Sequence, residues 1–206
     1  MLIRHGETLW NRATRIQGHT DIPLSPLGLS QARRLAQALA DEPLDAVYAS
    51  DLTRALQTAE AVAQAHGRKV VTDAALRERA FGRFEGLSWD EINERYPDEA
   101  LRWRRRDPDH PVGGGESLQA FSARCHTAVK RICDSHPGGN IAVVAHGGVL
   151  DCLYRAATRV TLQAPRSWQL GNASINRLLA TSEGFSLIGW NDDRHLAGLG
   201  ADDIAA

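Results

Sequence analysis

The sequence of 206 residues is poor in cysteine and contains no long run of apolar residues. Its three cysteines, Cys125, Cys133 and Cys152, are scattered and odd in number, which argues against a disulfide framework or a cysteine-based zinc site and favours reduced thiols. No apolar stretch approaches the roughly 20 residues that span a bilayer. The start also lacks the pattern of a signal peptide. We therefore expect a cytoplasmic protein without a membrane partner.

An excess of charge of one sign is missing as well. The chain has 24 Lys and Arg residues against 25 Asp and Glu residues, so no global basic field attracts nucleic acid. The one local basic cluster, residues 102–106, is interpreted as a solvated helix face; a nucleic-acid contact and a patch that attracts an anionic substrate are the alternatives. The expected partner is a small molecule and not nucleic acid. Assembly as a homodimer stays open.

Short apolar segments alternate with amphipathic segments along most of the chain. Apolar residues predict strands at 2–3, 45–49, 70–71, 140–145, 174–180 and 186–190, and helical spacing predicts helices over 26–40, 52–66 and 117–134. This alternation is typical of a three-layer α/β sandwich, in which a mostly parallel central sheet carries helices on both faces. We expect residues 1–206 to form a single domain, with a loosely ordered end after His195.

Residues 86–117 interrupt this alternation. The segment opens with a capping box at Ser88, continues through the basic cluster and ends in the glycine run 113–115. It is predicted to leave the sheet and to form a cap that determines substrate specificity.

Residues able to carry chemistry follow two of the predicted strands. Arg4-His5-Gly6 comes directly after the first strand, where Gly6 is expected to leave room for a ligand, and His146 follows the strand at 140–145. Because parallel strands end at the same edge of a sheet, the two histidines should converge. Arg54 falls in the first turn of a helix and His146 precedes another. Two helix N-termini and two guanidinium groups therefore predict an anion site.

The order of these motifs resembles the histidine phosphatase superfamily, which includes the cofactor-dependent phosphoglycerate mutases. The resemblance covers residues 2–150 and rests on four features in the family's order: Arg4-His5-Gly6, Arg54 within Ser50-Asp51-Leu52-Thr53-Arg54-Ala55, Glu78 ahead of Phe81-Gly82 and Glu85-Gly86, and His146-Gly147-Gly148. It implies a phosphoglycerate mutase-like fold. It also implies that His5 is the nucleophile and forms a phosphohistidine, while Arg4, Arg54 and His146 stabilise charge on the phosphoryl oxygens.

The resemblance points to further site residues. Glu78 is expected to protonate the leaving alcohol and then to activate the water that frees the nucleophile, with Glu85 as a second candidate for this role. Asn11 and Gln17 match positions where the family places polar side chains on the phosphoryl group or the substrate, and Gly147 is expected to offer its backbone N–H. The scheme needs no metal and no cofactor.

Three functions are compatible with these residues. The main expectation is a histidine acid phosphatase-type phosphomonoesterase that hydrolyses a small phosphorylated metabolite, because the chain is shorter than the mutases and lacks their longer arginine-rich insertion. A cofactor-dependent phosphoglycerate mutase is the alternative, followed by a non-catalytic sensor of a phosphorylated ligand. Residues 79–84 depart from the family's usual acidic and tryptophan-containing neighbours, which leaves the substrate open. The other histidines, including His19, are expected to be surface or structural residues, and Trp168 is expected to lie in the core.

Overall fold

The central element of the fold is one sheet of six strands. The computed structural model describes residues 1–199, so most of the end that is expected to be loosely ordered lies outside the described residues. The strands are β1 (Leu2–Arg4), β2 (Ala46–Ala49), β3 (Val70–Thr72), β4 (Ile141–Ala145), β5 (Ile175–Thr181) and β6 (Gly184–Asp192). Their order is β3-β2-β4-β1-β5-β6. The first four in chain order are parallel, and β5 and β6 add antiparallel pairings.

Seven α-helices connect these strands within residues 1–199. They are α1 (Leu9–Arg12), α2 (Pro26–Leu39), α3 (Thr53–Ala65), α4 (Trp89–Arg95), α5 (Pro97–Arg104), α6 (Leu118–Asp134) and α7 (Gly147–Thr158). The predicted boundaries of α2, α3 and α6 are close to the observed ones, and the side chains of Ser25 and Ser117 cap α2 and α6. None of the helices in this part of the chain is long and apolar enough to cross a membrane.

Helices cover both faces of the sheet, which confirms the predicted α/β sandwich. Alternating residues of one strand point to opposite faces, so Leu2 joins a core built with α6 and α7, whereas Ile3 joins a core built with α2 and α3. All five residues of β4 are buried, as expected for a central strand between two helical layers.

The parallel register aligns the carboxyl ends of three strands. Arg4 pairs with Ala145, and Ala49 pairs with Val144. The pairing continues one residue further, since the His5 N–H donates to the Ala145 carbonyl over 3.0 Å. The segments that follow β1, β2 and β4 therefore start side by side at one edge of the sheet.

Gly6 permits close backbone packing and does not make room for a ligand. A Cβ atom at Gly6 would lie 2.7 Å from the carbonyl oxygen of Gly28, in the first turn of α2. A Cβ atom at Gly28 would in turn lie 2.0 Å from the Glu7 carbonyl oxygen. The expectation that Gly6 leaves room for a ligand was therefore wrong. Gly6 and Gly28 instead allow α2 to pack closely against the loop that follows β1.

Residues 86–117 contain α4 and α5, which pack together with Phe81 and Phe84 around a small apolar core. Phe84, Ile92, Ala100 and Val112 are buried there. Phe81 stacks on Trp103 with 5.0 Å between the ring centroids. Helix α5 was not predicted as a separate element, although Pro97 occupies its first turn, where proline is favourable.

Candidate active site

A cleft of about 610 Å³ lies at the carboxyl edge of the parallel strands. Seven of the eight predicted site residues line it: Arg4, His5, Asn11, Gln17, Arg54, Glu78 and Gly147. The eighth, His146, is buried next to His5, with 5.2 Å between the ring centroids. A depression of about 790 Å³ at the opposite edge of the sheet, beside Cys133 and His136, contains none of them.

The ring of His5 is held in one tautomer. Its Nδ1 atom lies 2.6 Å from the carbonyl oxygen of Gly6. A carbonyl oxygen can only accept a hydrogen bond, so Nδ1 carries the proton and Nε2 keeps its lone pair. The loop itself is anchored by the Gly6 N–H, which donates to the Thr58 hydroxyl over 3.0 Å. His5 therefore presents an unprotonated nitrogen from a fixed backbone.

His146 has the opposite tautomer because of Arg54. The Nε atom of Arg54 donates to Nδ1 of His146 over 3.3 Å, so the proton of the imidazole lies on Nε2. This buried Nε2 has no hydrogen-bond partner among the described residues. The two histidines thus offer complementary groups, a lone pair on His5 and an N–H donor on His146, as attack on an electrophilic phosphorus beside a negatively charged oxygen requires.

Burial and nearby cations keep both imidazoles neutral. Burial, together with the charges of Arg54 and Arg4, lowers the pKa of His5 well below 6.5. The pKa of His146 is lowered in the same direction, first by burial and then by Arg54. A neutral imidazole is the nucleophilic form, so the environment favours the chemistry of His5 at neutral and mildly acidic pH.

Backbone carbonyl oxygens hold the guanidinium groups of both Arg4 and Arg54 in place. Arg54 is fully buried and donates to the carbonyl oxygens of Gly18, over 2.8 Å, and Thr20, over 3.0 Å. Arg4 donates to the Leu170 carbonyl oxygen, and its Nε has no partner among the described residues. Burial lowers the pKa of Arg4 to about 10, which leaves it charged at neutral pH. These donors can hold an anion with little reorganisation.

Glu78 lies at the start of α7. Its Oε2 accepts the Gly148 N–H over 3.0 Å, and its Oε1 accepts the Arg79 N–H over 2.9 Å. A Cβ atom at Gly148 would lie 2.2 Å from Oε1, so only glycine leaves space for the carboxyl group there. Each oxygen retains a second lone pair, on which Glu78 can carry a proton.

Glu85, the second candidate for the acid role, has a structural position. Its carboxylate accepts hydrogen bonds from the N–H groups of His19, Thr20 and Phe81, at 2.9 to 3.0 Å, and from the Thr20 hydroxyl. Burial raises the pKa of Glu85, but these hydrogen bonds outweigh it and hold the pKa below its ordinary value. A permanent carboxylate that organises residues 17–20 is poorly suited to donate a proton.

Asn11 and Gln17 are both oriented by Thr8. The Thr8 N–H donates to Oδ1 of Asn11 over 3.0 Å, and the Thr8 hydroxyl donates to Oε1 of Gln17, also over 3.0 Å. Because both side-chain oxygens are occupied as acceptors, the NH₂ groups are the parts available to a ligand in the cleft.

One predicted feature of the site is absent. The N-terminus of α3 is covered by Asp21, whose carboxylate accepts from the N–H and the hydroxyl of Thr53, over 2.8 and 2.7 Å. Of the two helix N-termini that were expected to face an anion, α7 lines the cleft through Gly147 and Gly148, while α3 contributes mainly the side chain of Arg54.

His19 makes a structural contact, as expected, since its ring Nε2 lies 2.8 Å from the carbonyl oxygen of Glu78. Other residues near the cleft were missed. The segment 160–171, which carried no motif, supplies a whole wall through Arg166, Trp168 and Leu170. The expectation that Trp168 lies in the core was therefore wrong. Among residues 1–199, no group of three or more His, Cys, Asp or Glu side chains could hold a metal ion.

Comparison with known proteins identifies the family. The sequence model of the histidine phosphatase superfamily (branch 1) matches residues 1–193. The chain belongs to this superfamily. Within the superfamily, it is 41% identical over 201 residues to phosphoglycerate mutase-like protein 4 of Arabidopsis thaliana, covering 95% of this chain and 86% of that protein.

Two further relatives are phosphatases by name. The chain is 38% identical to the metal-independent phosphoserine phosphatase of Arabidopsis thaliana, covering 97% of this chain and 84% of that protein. The structure of the mycobacterial glucosyl-3-phosphoglycerate phosphatase matches with a TM-score of 0.84 and 31% identity, covering 93% of this chain and 98% of that one. These matches confirm the predicted phosphoglycerate mutase-like fold.

Proposed function

We propose that the protein is a phosphomonoester hydrolase that acts through a phosphohistidine on a small phosphorylated metabolite. The observation that carries this proposal is the pair of complementary tautomers, with an unprotonated Nε2 on His5 beside a protonated Nε2 on His146. Membership of the histidine phosphatase superfamily and the named phosphatase relatives support it.

The reaction has two steps, formation of the phosphohistidine and its hydrolysis. The lone pair on Nε2 of His5 forms a bond to phosphorus, the bond to the ester oxygen breaks, and the leaving alcohol takes the proton of Glu78. Water then attacks phosphorus and gives a proton to Glu78, and the electron pair of the nitrogen–phosphorus bond returns to His5. Arg4, Arg54 and His146 stabilise the equatorial oxygens in both steps, with Asn11, Gln17 and the Gly147 N–H as further contacts.

We further propose that this phosphatase works in the cytoplasm and that residues 1–206 form a single domain. Residues 86–117, which share a small apolar core with Phe84, would cover the cleft and select the substrate. Phosphoserine is the first substrate to test, because a 38% identical relative is named for it. The mutase alternative is kept because of the phosphoglycerate mutase-like relative, and 3-phosphoglycerate belongs in the same assay.

The proposal is tested with a substitution of the nucleophile. His5→Ala should abolish phosphate release from every monoester that the wild type hydrolyses, without a change in circular dichroism. His126→Ala serves as the histidine control and should retain activity, because His126 lies on α6 and does not line the cleft. Activity of His5→Ala equal to that of the control would exclude the mechanism.

A further inference from the structure

A buried ionic cluster on α7 lies outside the proposed chemistry. Arg155 and Asp151 are one helical turn apart and buried, and Nε of Arg155 donates to Oδ2 of Asp151 over 2.9 Å. Arg106, which follows α5, donates to the same oxygen, also over 2.9 Å. Two guanidinium groups therefore share one carboxylate.

The remaining acceptors of this cluster come from the segment 160–171. One terminal nitrogen of Arg155 donates to the carbonyl oxygens of Thr161, over 2.5 Å, and Ala164, over 2.9 Å. Nε of Arg106 donates to the Leu162 carbonyl oxygen over 2.5 Å. A guanidinium group removed from water needs acceptors for its N–H groups, and Asp151 accepts from the two arginines through one oxygen only. The cluster and the backbone of 161–164 therefore depend on each other.

The same segment continues into the wall of the cleft. The Trp168 ring lies over the guanidinium group of Arg155, 4.7 Å from its carbon to the ring centroid, and stacks on Tyr154. Trp168 and Arg166 both line the cleft. Arg155 and Arg106 thus do not line the cleft themselves but contact the segment that forms this wall.

We propose that Arg106 and Arg155 are positioning residues that hold segment 160–171 in place and so determine how tightly the cleft binds the part of the substrate beyond its phosphoryl group. Because Arg106 belongs to residues 86–117, the same contacts connect that segment to segment 160–171. The inference rests on the proposed function for its kinetic test, but not for its structural one.

Arg106→Gln tests this inference, with Arg105→Gln as the matched control. Arg105 is the exposed neighbour, and its replacement removes the same charge. The side chain of Arg106 is itself 22% exposed, so its replacement should leave the chain folded. We expect Arg106→Gln to raise the KM for phosphoserine about tenfold with a smaller change in kcat, since a displaced wall weakens substrate binding. The inhibition constant of inorganic phosphate, which occupies only the phosphoryl position, should stay unchanged.

Hydrogen exchange gives a readout that does not depend on turnover. Backbone amides of 160–171 should exchange faster in Arg106→Gln than in Arg105→Gln. Equal KM values in the two variants, or a parallel rise in the phosphate constant, would overturn the inference. If the wild type hydrolysed no monoester, the proposed function would fail and the kinetic test could not be made. In that case, equal hydrogen exchange of 160–171 in the two variants would overturn the positioning role.

Discussion

At the scale of single residues, the site is defined by which atoms carry protons. The Gly6 carbonyl and the Nε–H of Arg54 fix opposite tautomers on two adjacent histidines. The residue types at these positions could be predicted from the sequence, because each histidine follows a strand and lies in a family motif. The tautomers could not, since they depend on a backbone carbonyl and on a side chain 92 positions away.

The role of Glu78 can be separated from that of Glu85 by leaving-group dependence. Glu78→Gln should slow hydrolysis of alkyl esters such as phosphoserine by a factor of roughly 10² to 10⁴, and that of p-nitrophenyl phosphate far less, because nitrophenolate needs little protonation. Glu85→Gln, which disturbs the 17–20 loop, should affect both esters alike. Steady-state kinetics on both esters give the answer, and an equal loss in Glu78→Gln would assign the proton transfer to another group.

The pH dependence follows from the lowered pKa of His5. Burial and the nearby arginines keep this imidazole neutral below pH 6.5, where an ordinary histidine would be protonated. The value of kcat/KM, corrected for ionisation of the substrate, should therefore not fall as the pH decreases through 6.5. A decrease in kcat/KM below pH 6.5 that is caused by protonation of an imidazole would contradict the assignment.

The lowered pKa of His5 also affects stability. Below pH 6.5 the unfolded chain binds a proton at this imidazole and the folded chain does not, so the free energy of unfolding should decrease as the pH falls.

At the scale of elements, the first turn of α7 brings backbone and side-chain groups together. Gly147 and Gly148 are adjacent but have different surroundings. A Cβ atom at Gly147 would lie 3.5 Å from Nε of Arg4, which is an ordinary contact, whereas at Gly148 it would overlap the Glu78 carboxyl group. The sequence indicated only that two glycines follow the histidine, and the reason for the second one required the position of Glu78.

This difference gives a paired test. Gly148→Ala should displace Glu78 and reproduce the leaving-group dependence of Glu78→Gln, with a loss of roughly 1–3 kcal/mol in stability. Gly147→Ala should retain most of the activity. Rates on phosphoserine and p-nitrophenyl phosphate, together with thermal unfolding, measure both effects. Similar behaviour of the two variants would show that the carboxyl group does not act from this position.

The position of segment 160–171 could not be predicted from the sequence pattern. The segment has neither helical nor strand periodicity, and its position is set by buried contacts with Arg155 and Arg106. Contacts of this kind do not affect the spacing of apolar residues within the segment, so the sequence pattern does not indicate them. The basic cluster that contains Arg106 was interpreted as a solvated face, which describes the exposed Arg105 but not Arg106 itself.

At the scale of the whole molecule, the order of strands and helices was largely predictable because each core strand is a short apolar segment next to an amphipathic helix. The antiparallel arrangement of β5 and β6 was not, since their alternation fits either direction. The cytoplasmic location and the capping role of residues 86–117 stay predictions, and assembly as a homodimer stays open.

The central claim is that His5 carries the phosphoryl group during turnover. The direct measurement is mass spectrometry of the enzyme after rapid quenching during turnover of phosphoserine or 3-phosphoglycerate, in EDTA and under conditions that preserve acid-labile phosphate. The account predicts phosphate release with a transient phosphoryl group on His5, and none in His5→Ala. Hydrolysis without a label on His5, or an equal rate in His5→Ala, would contradict it.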